Sequence, residues 1–325
     1  MSDLCGSSGN FGRIAIDVGN AGTFAGFTSA SYAFTMLDGG TNIGFTQPHV
    51  NNPGMDGEAF EKSELTRLGI GGVTGDVNLF VTPDNLDMFL PLALGEAWAT
   101  SESWPTVAPP PKFDILIHRD ALLYPYFNCQ INRLVITGQP EQALRMTLSI
   151  VGTAKDPVLR SPGLWPAGLD NNASTPYVFQ DTKLRISSPA QLVPFTLTRY
   201  LNKGFTITFD NKLVPSIFDD DTPCKFTRSG KATCELQIIP PHTADTVSEI
   251  MLGAVPPASL AAQIDLTSVT PNMSAQFLFP ALQLPEEHPA LRPGEMPMPL
   301  TGQARTITGG AHGGAGFIAV NDNVG

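Results

Sequence analysis

Alternation between apolar and polar residues is the most frequent pattern along this chain. In the segment LRMTLSIVG (144–152), apolar side chains occupy every second position up to Ile150, with polar side chains between them. A period of two is typical of a β-strand with one buried face. The same alternation recurs in further segments at 113–117, 129–137, 193–198, 204–210 and 234–239. The pattern therefore predicts a mainly β protein.

Two segments have helical spacing instead. In TPDNLDMFLPLALG (82–95) the apolar residues recur three and four positions apart, with Thr82 as a possible N-cap, Pro83 in the first turn and Gly95 as a stop signal. Pro91 lies inside this pattern, so we expect a kinked or split helix. HTADTVSEIMLG (242–253) has a similar apolar stripe. Two short single helices are predicted.

Each predicted helix belongs to a longer pattern that occurs twice. GDVNLFVTPDNLDMFLPLALGEA (75–97) and GKATCELQIIPPHTADTVSEIMLGAV (230–255) both read glycine, strand, proline, short helix and Leu-Gly. A proline-rich spacer and a strand follow each copy, and a strand with a long loop precedes each. The sequence therefore predicts two tandem domains of similar fold, at 1–155 and 183–325, separated by a linker at 156–182.

The two ends of the chain lie outside this duplicated pattern. Residues 1–40 are rich in small residues and poor in charge, and their phenylalanines would serve as anchors for an extended arm that pairs with another element. The second domain is expected to carry a C-terminal extension. Its segment PEEHPALRPGEMPMPLTGQ (285–303) contains five prolines and suits an extended crossover.

The amino-acid composition indicates short elements and a surface with few charges. The chain has 31 glycines and 29 prolines among 325 residues, and only 15% of the residues are charged. Glycine and proline each cost about 1 kcal/mol or more inside a helix, which disfavours long helices. An ordinary soluble domain carries about 25% charged residues. We interpret the shortfall as a surface that partners cover.

The net charge of −11 argues against nucleic-acid binding by phosphate neutralisation. No run of about 18 apolar residues occurs, and the first residues lack the basic start and apolar core of a signal peptide. We therefore expect a soluble protein made inside a cell, without a membrane partner. Inside a cell, cysteines are expected to remain free thiols, and a disulfide between Cys224 and Cys234 is the alternative.

Several motifs invite a catalytic or binding interpretation. The triplet HRD at 118–120 occurs in kinase catalytic loops, but Pro125 stands where the kinase asparagine is expected, so a polar strand end explains it better. The glycine runs at 69–76 and 308–316 lack the Lys-Ser/Thr of a phosphate loop, which favours flexible loops or tight strand contacts. Asp219 to Asp221 lack the spacing of a calcium loop and are interpreted as solvated.

No arrangement of residues supports catalysis or metal binding. The histidines are dispersed, at His49, His118, His242, His288 and His312. None has metal-ligand spacing with a cysteine or a carboxylate, and no Gly-x-Ser-x-Gly nucleophile elbow occurs. The sequence thus predicts no catalytic, cofactor-binding or metal-binding residue, no cofactor, and a protein that is not an enzyme.

The duplicated segments resemble a known family. GDVNLFVTPDNLDMFLPLALGEA (75–97), PPKFDILIHRD (110–120), YPYFNCQINRLVITGQPEQALRMTLSIVG (124–152) and VPFTLTRYLNKGFTITFDN (193–211) are similar to the tail tube, or major tail, proteins of long-tailed bacteriophages, in particular the duplicated type. The resemblance is continuous over about 40–155 and more diffuse over 185–305. A flexible, sheathless, non-contractile tail is the kind that we associate with duplicated members.

The resemblance implies a β-sandwich or barrel flanked by a short helix in each domain. Such domains pack into rings that stack as a hollow tube in the virion tail, assembled in the host cytoplasm, and double-stranded DNA passes through during ejection. Tape measure, terminator and tail-tip proteins are the implied partners. Because single-domain members form hexameric rings, two domains per chain imply a trimeric ring. We expect ring-to-ring contacts at 46–70, 211–229 and 1–40.

An acidic balance suits such a conduit, because negative walls repel phosphate. Asp219 to Asp221 are candidates for the inner wall. The alternative is a two-domain β-sandwich binding module, as in capsid decoration or carbohydrate-binding adhesins, with the aromatic patch YPYF (124–127) as its platform. The competing interpretation of that patch is packing at a sandwich end.

Overall fold

The alternating segments form an extensive antiparallel sheet. The computed structural model describes residues 13–19, 21–28, 31–35, 41–47, 49–51, 66–68, 71–95, 101–104, 110–119, 122–156, 160–169, 174–187, 197–199, 204–216, 225–239, 259–267, 274–283, 300–304 and 317–321, and the structural statements below concern these residues. Within them the fold is all-β, with a single α-helix. No described helix is long and apolar enough to cross a membrane.

The first part of the chain contains eleven of the described strands and the helix. They are β1 Arg13–Asp17, β2 Tyr32–Thr35, β3 Gly44–Thr46, β4 His49–Asn51, β5 Thr66–Leu68, β6 Gly72–Phe80, α1 Pro83–Leu94, β7 Ser101–Trp104, β8 Phe113–Arg119, β9 Leu122–Gly138, β10 Arg145–Gly152 and β11 Ala154–Lys155. Short 3₁₀ turns lie at Phe24–Gly26, Pro162–Leu164 and Phe179–Asp181.

The later part contains the other ten described strands. They are β12 Thr182–Ser187, β13 Leu197–Arg199, β14 Phe205–Asp210, β15 Leu213–Ser216, β16 Lys225–Arg228, β17 Thr233–Ile238, β18 Ser259–Thr267, β19 Ser274–Gln283, β20 Leu300–Ala304 and β21 Phe317–Asn321. The alternating segments of the sequence lie in β8, β9, β10, β14 and β17, and residues 197 and 198 lie in β13, which confirms the prediction of strands. Burial alternates in β10, β14 and β17, whereas Phe113 to Ile117 of β8 are buried on both faces of the strand.

The strands of the two halves pair in the same order. In the first half the order across the sheet is β2-β1-β8-β9-β10-β6-β3, with every pair antiparallel. In the second half it is β13-β12-β18-β19-β20-β17-β14, again antiparallel throughout. The hairpin β4–β5 follows β3 in the first half, and the hairpin β15–β16 follows β14 in the second half. Each hairpin is a separate two-stranded sheet.

The correspondence extends to single residues. The β8–β9 ladder shifts register after the pair Phe113 and Cys129, and the β18–β19 ladder shifts in the same way after Leu260 and Leu282. From this shared register shift, the strand pairs on either side define further positions that are equivalent in the two halves. Gln130 corresponds to Gln283, Val151 to Gln303, Thr74 to Glu235, and Gly44 to Thr208.

Strand β9 joins the two halves. Its first part lies between β8 and β11, and its last part lies between β10 and β14, which belongs to the second half. A second link is β21, which pairs with β19 on one side and with β7 on the other. One hydrophobic core cluster accordingly contains side chains of both halves, including the fully buried Leu134 and Ile207.

Helix α1 begins and ends where its sequence signals place it. The Thr82 hydroxyl accepts a hydrogen bond from the Asn85 N–H at 3.1 Å, and Gly95 adopts a left-handed φ of 92° while its N–H donates to the Pro91 carbonyl at 2.8 Å. The predicted apolar stripe is buried. The expected split at Pro91 is wrong, because the helix runs through that residue without interruption. The second predicted helix, 242–253, lies outside the described residues.

The expectation of an N-terminal arm is wrong for Arg13–Asp17 and Tyr32–Thr35. These residues form a hairpin that extends the chain's own sheet beside β8. Ile14, Ile16 and Phe34 are each at most 2% exposed, so they belong to the core. These strands have only five and four residues and are also buried at Ala15 and Ala33, so the local sequence shows too little alternation to reveal this.

The segment proposed as a linker also contributes to the core in its described parts. Tyr177 is 1% exposed, its N–H donates to the Val81 carbonyl at 2.9 Å, and its carbonyl accepts from the Leu144 N–H at 2.8 Å. The Arg160 carbonyl accepts a hydrogen bond from the Leu123 N–H at 2.9 Å. Residues near both ends of 156–182 therefore pack against the first half.

Candidate functional surfaces

The junction of the two halves is a strand pair with a continuous apolar side. Arg133 to Gly138 of β9 face Asp210 to Phe205 of β14. On the buried side Leu134 faces Phe209 and Ile136 faces Ile207, and all four are at most 1% exposed. At about 25 cal/mol per Å² of apolar surface, such burial stabilises the contact by several kcal/mol. The halves are thus joined as neighbouring strands of one sheet.

Two glycines allow the close approach at one end of this junction. A Cβ atom on Gly138 would lie 2.3 Å from Cε1 of Phe205. Gly204 has a φ of 123°, where only glycine is unstrained, and a Cβ there would lie 2.7 Å from the Gly138 carbonyl oxygen. Phe205 can pack over Gly138 because neither glycine carries a side chain.

Asn211 fastens the other end of the junction. It is 1% exposed, and its Nδ2 donates to the Ala93 carbonyl at 2.9 Å and to the Ile131 carbonyl at 3.1 Å. Its Oδ1 accepts from Arg228 at 3.0 Å, and burial lowers the pKa of that guanidinium. One amide therefore ties the end of α1, β9 and β16 together.

The opposite face of the joined sheet is polar and spans both halves. Observed registers place its side chains in three rows across β6, β10, β9, β14, β17 and β20. The rows are Phe80, Arg145, Thr137, Thr206, Gln237 and Thr301; Asn78, Thr147, Val135, Thr208, Glu235 and Gln303; and Asp76, Ser149, Arg133, Asp210 and Thr233. We call these residues the polar rows.

Hydroxyl and amide groups dominate the polar rows. Thr147 donates to Asn78 at 2.8 Å, and Gln303 donates to Glu235 at 3.1 Å. The charges are sparse and mixed, with Asp76, Asp210 and Glu235 against Arg133 and Arg145. This face is therefore polar and close to neutral, with a slight excess of acidic groups. Few of its side chains would attract an anion.

The outer edge of β3 is held by side chains. No strand pairs with that edge among the described residues, although its counterpart β14 has β9 there. Instead Nη2 of Arg119 donates to the Thr41 and Ile43 carbonyls at 3.1 and 3.0 Å, and the Tyr126 hydroxyl donates to the Ile43 carbonyl at 3.4 Å. Burial raises the pKa of Tyr126, so the hydroxyl keeps its proton.

The motifs singled out by sequence have structural positions where they are described. His118 and Arg119 end β8, as expected for a polar strand end. Gly75 has a φ of 150°, and a Cβ there would lie 2.5 Å from the Ile43 Cα, which confirms the tight strand contact for this glycine. Asp219 to Asp221 and the glycine run 308–316 lie outside the described residues.

The aromatic patch at 124–127 is part of β9 rather than a surface platform. Tyr126 and Phe127 are 5% and 7% exposed, and Tyr124 is half-buried against the core. Leu123, next to the patch, also belongs to the buried set. Packing, the competing interpretation, therefore accounts for these rings.

Buried ionisable groups serve packing rather than chemistry. Cys129 and Cys234 are free thiols whose pKa values are raised by burial, so both stay protonated and inert. Asp114 is fully buried and accepts from the Gly22 and Asn128 N–H groups at 2.7 and 2.9 Å, yet burial raises its pKa. Within the described part of the chain no cluster could hold a metal ion.

An extensive antiparallel sheet, two halves of equal strand order and a broad polar face define an all-β protein built from two similar halves. The family model described as phage tail tube protein matches residues 66–304, and the chain belongs to this family. This match confirms the resemblance of the sequence to phage tail tube proteins, a structural family and not an enzyme family. The protein is a component of the phage tail. No curated protein is significantly similar to the chain.

Proposed function

We propose that this protein assembles with itself into rings, which stack into the hollow tail tube through which DNA is ejected. One observation carries the proposal: two halves of equal strand order join side by side through β9 and β14. Neighbouring units of a ring need a contact of this kind. The family match supports the same conclusion.

The ring contains three chains in this proposal. Tandem domains at 1–155 and 183–325 give each chain two equivalent units, so three chains supply six. Three features support the duplication: the equal strand orders, the register shift shared by β8–β9 and β18–β19, and the hairpins β4–β5 and β15–β16. The hairpins occupy the loops 46–70 and 211–229, so six of them would project from each ring towards its neighbour.

The polar rows are the proposed channel wall. DNA binds proteins mainly through cations that neutralise its phosphates. Arg133 and Arg145 are the only cations of the rows, and Asp210 lies directly opposite Arg133. Because Asp210 compensates the charge of Arg133, a wall of hydroxyl and amide groups would bind phosphates weakly. DNA could then slide along it. The acids 219–221 remain separate candidates for the wall.

The family implies further tail partners. A tube needs a tape measure, a terminator and a tip, and these proteins are the proposed partners of its ends, within a virion tail assembled in the host cytoplasm. We also propose a tail without a contractile sheath. The binding-module alternative would use Tyr124 and Tyr126 as contacts, but Tyr126 is buried and Tyr124 is half-buried against the core.

Electron microscopy of the concentrated purified protein tests the proposal. We expect hollow tubes of regular repeat, because both faces of each ring should accept another ring. Discrete particles of one size over a wide concentration range would contradict self-assembly and would favour a binding module.

A further inference from the structure

We propose that strand β21 sets the angle between the two halves of the chain and, through it, the curvature of the proposed ring. This inference rests on the proposed function and names the element that determines the size of the ring. It concerns a contact within one chain, between strands that the structure describes.

Strand β21 lies between a strand of the second half and the segment that follows α1. Its residues Ile318 to Asn321 pair with Leu278 to Ala275 of β19. Its residues Phe317 to Val320 pair with Trp104 to Ser101 of β7. Strand β7 in turn lies against α1, whose apolar side chains belong to the core. Strand β21 therefore forms a second connection between the halves, in addition to the β9–β14 junction.

This second connection is separate from the junction. In the strand order of the second half, β20 and β17 lie between β19 and β14. Neighbouring strands are about 4.8 Å apart, so β19 lies about 14 Å from β14, measured along the sheet. The side chains that fasten the junction, such as Leu134, Phe209 and Asn211, lie on β9, on β14 or directly after β14. The halves are thus held along two separate lines.

A single strand pair leaves the angle between two halves variable. Adjacent strands are twisted relative to each other by about −10 to −35°, so the β9–β14 pair alone is compatible with a range of angles. A second contact at a distance removes this freedom, because rotation about the junction would separate β7 from β21. Among the described residues β7 pairs with no strand other than β21, so the second connection depends on this one pair.

The angle matters because a ring closes at only one value. Repeated contacts between similar units form a closed ring if the rotation from unit to unit closes, and an open filament if it does not. For six similar units that rotation is about 60°. A variable angle between the halves would therefore give rings of variable size or open filaments, and the β7–β21 pair would prevent both.

The distance between spin labels on the two halves measures the angle in the free chain, at concentrations too low for assembly. The full chain with Cys5→Ser and Cys224→Ser carries one label at Val18→Cys and one at Lys183→Cys. Both positions are exposed, Val18 after β1 of the first half and Lys183 in β12 of the second. The two buried cysteines stay unlabelled.

Deletion of residues 317–325 removes β21 and is the decisive variant. We expect one narrow distribution of label distances for the full chain and a broad distribution after this deletion. Deletion of residues 322–325 alone leaves β21 in place, so this matched control should keep the narrow distribution. An equally narrow distribution without β21 would overturn the inference.

A variant that leaves β21 intact covers the case in which the longer deletion prevents folding. Glu102→Pro with Ser103→Pro changes only β7. Successive residues of a strand face opposite neighbours, so one of the two prolines removes a backbone N–H on the side of β21. The distribution should broaden as it does without β21, and an unchanged distribution would overturn the inference.

Electron microscopy of the same variants separates this inference from the proposed function. Without β21 we expect tubes of variable diameter or open filaments, whereas the control deletion should give tubes of one diameter. Tubes of unchanged diameter despite a broad distribution of label distances would overturn the link to ring curvature and leave the tube intact. Failure of the unsubstituted chain to form tubes would count against the proposed function itself.

Discussion

At the residue scale, the junction depends on positions where the size or the polarity of one side chain is fixed by its neighbours. Gly138 lies under the ring of Phe205, and Asn211 makes hydrogen bonds to three elements. Alternation of apolar residues identifies neither position, because their constraints come from strands distant in the sequence. The alternation did predict strands at 129–137 and 204–210, the two segments that form the junction.

Gly138→Ala should destabilise the fold by about 1–3 kcal/mol, because the added methyl group would overlap the Phe205 ring. Urea unfolding followed by circular dichroism measures the effect. Gly230→Ala is the matched control, since a Cβ there has no neighbour within 4 Å, and it should change the free energy of unfolding by less than about 0.5 kcal/mol. Equal effects of the two substitutions would contradict the packing account.

Asn211→Ala should cost about 1–3 kcal/mol in unfolding free energy, because it leaves buried carbonyls of Ala93 and Ile131 without the donor they now have. The same urea experiment measures it, with the exposed Gln139→Ala as control. A cost below that of the control would show that water replaces the amide and that Asn211 is not a fastening residue.

Asp114 should introduce a pH dependence of stability. Its folded pKa is raised above the unfolded value, so its proton is held more tightly in the folded state. The contribution is fully present below the unfolded pKa of about 3.9 and is lost as the pH rises through the folded pKa. The difference in unfolding free energy between the wild type and Asp114→Asn should shift in that window. A difference independent of pH would contradict the raised pKa.

At the scale of elements, the sequence predicted those strands and helix ends that local signals determine. The ends of α1 follow from Thr82, Pro83 and Gly95, which act on neighbouring backbone groups. β1 and β2 were missed, because their burial depends on pairing with β8, about a hundred residues later. The polar rows could not be predicted either, because their alignment depends on registers between distant strands.

Thr82→Ala should destabilise the protein by about 1 kcal/mol, because the hydroxyl accepts the Asn85 N–H at the start of α1. Thermal unfolding followed by circular dichroism measures the change. Thr175→Ala, at an exposed position, is the control. No difference between the two variants would show that the hydroxyl does not contribute to helix stability.

At the scale of the whole molecule, charge deficit, duplicated strand order and the polar rows point to one assembly. The low charge of the sequence predicted a covered surface, and stacked rings would cover most of it. The negative balance alone could not indicate which face meets DNA. The registers place few charges, of mixed sign, in the polar rows that we propose as the channel wall.

Lysines in the polar rows should make tubes retain DNA. Val135→Lys with Thr208→Lys adds two cations to each chain on adjacent strands of the proposed wall. Retention of short duplex DNA by purified tubes should rise, and it should fall again with increasing salt. Gln180→Lys, at an exposed position outside the rows, is the control. Equal retention by both variants would place the rows away from the channel.

Cryo-electron microscopy of tubes grown from the purified chain tests the central claim most directly. The account predicts three chains in each ring, arranged as six similar units, with the polar rows facing the lumen. Six chains in each ring, or polar rows on the outside of the tube, would contradict it.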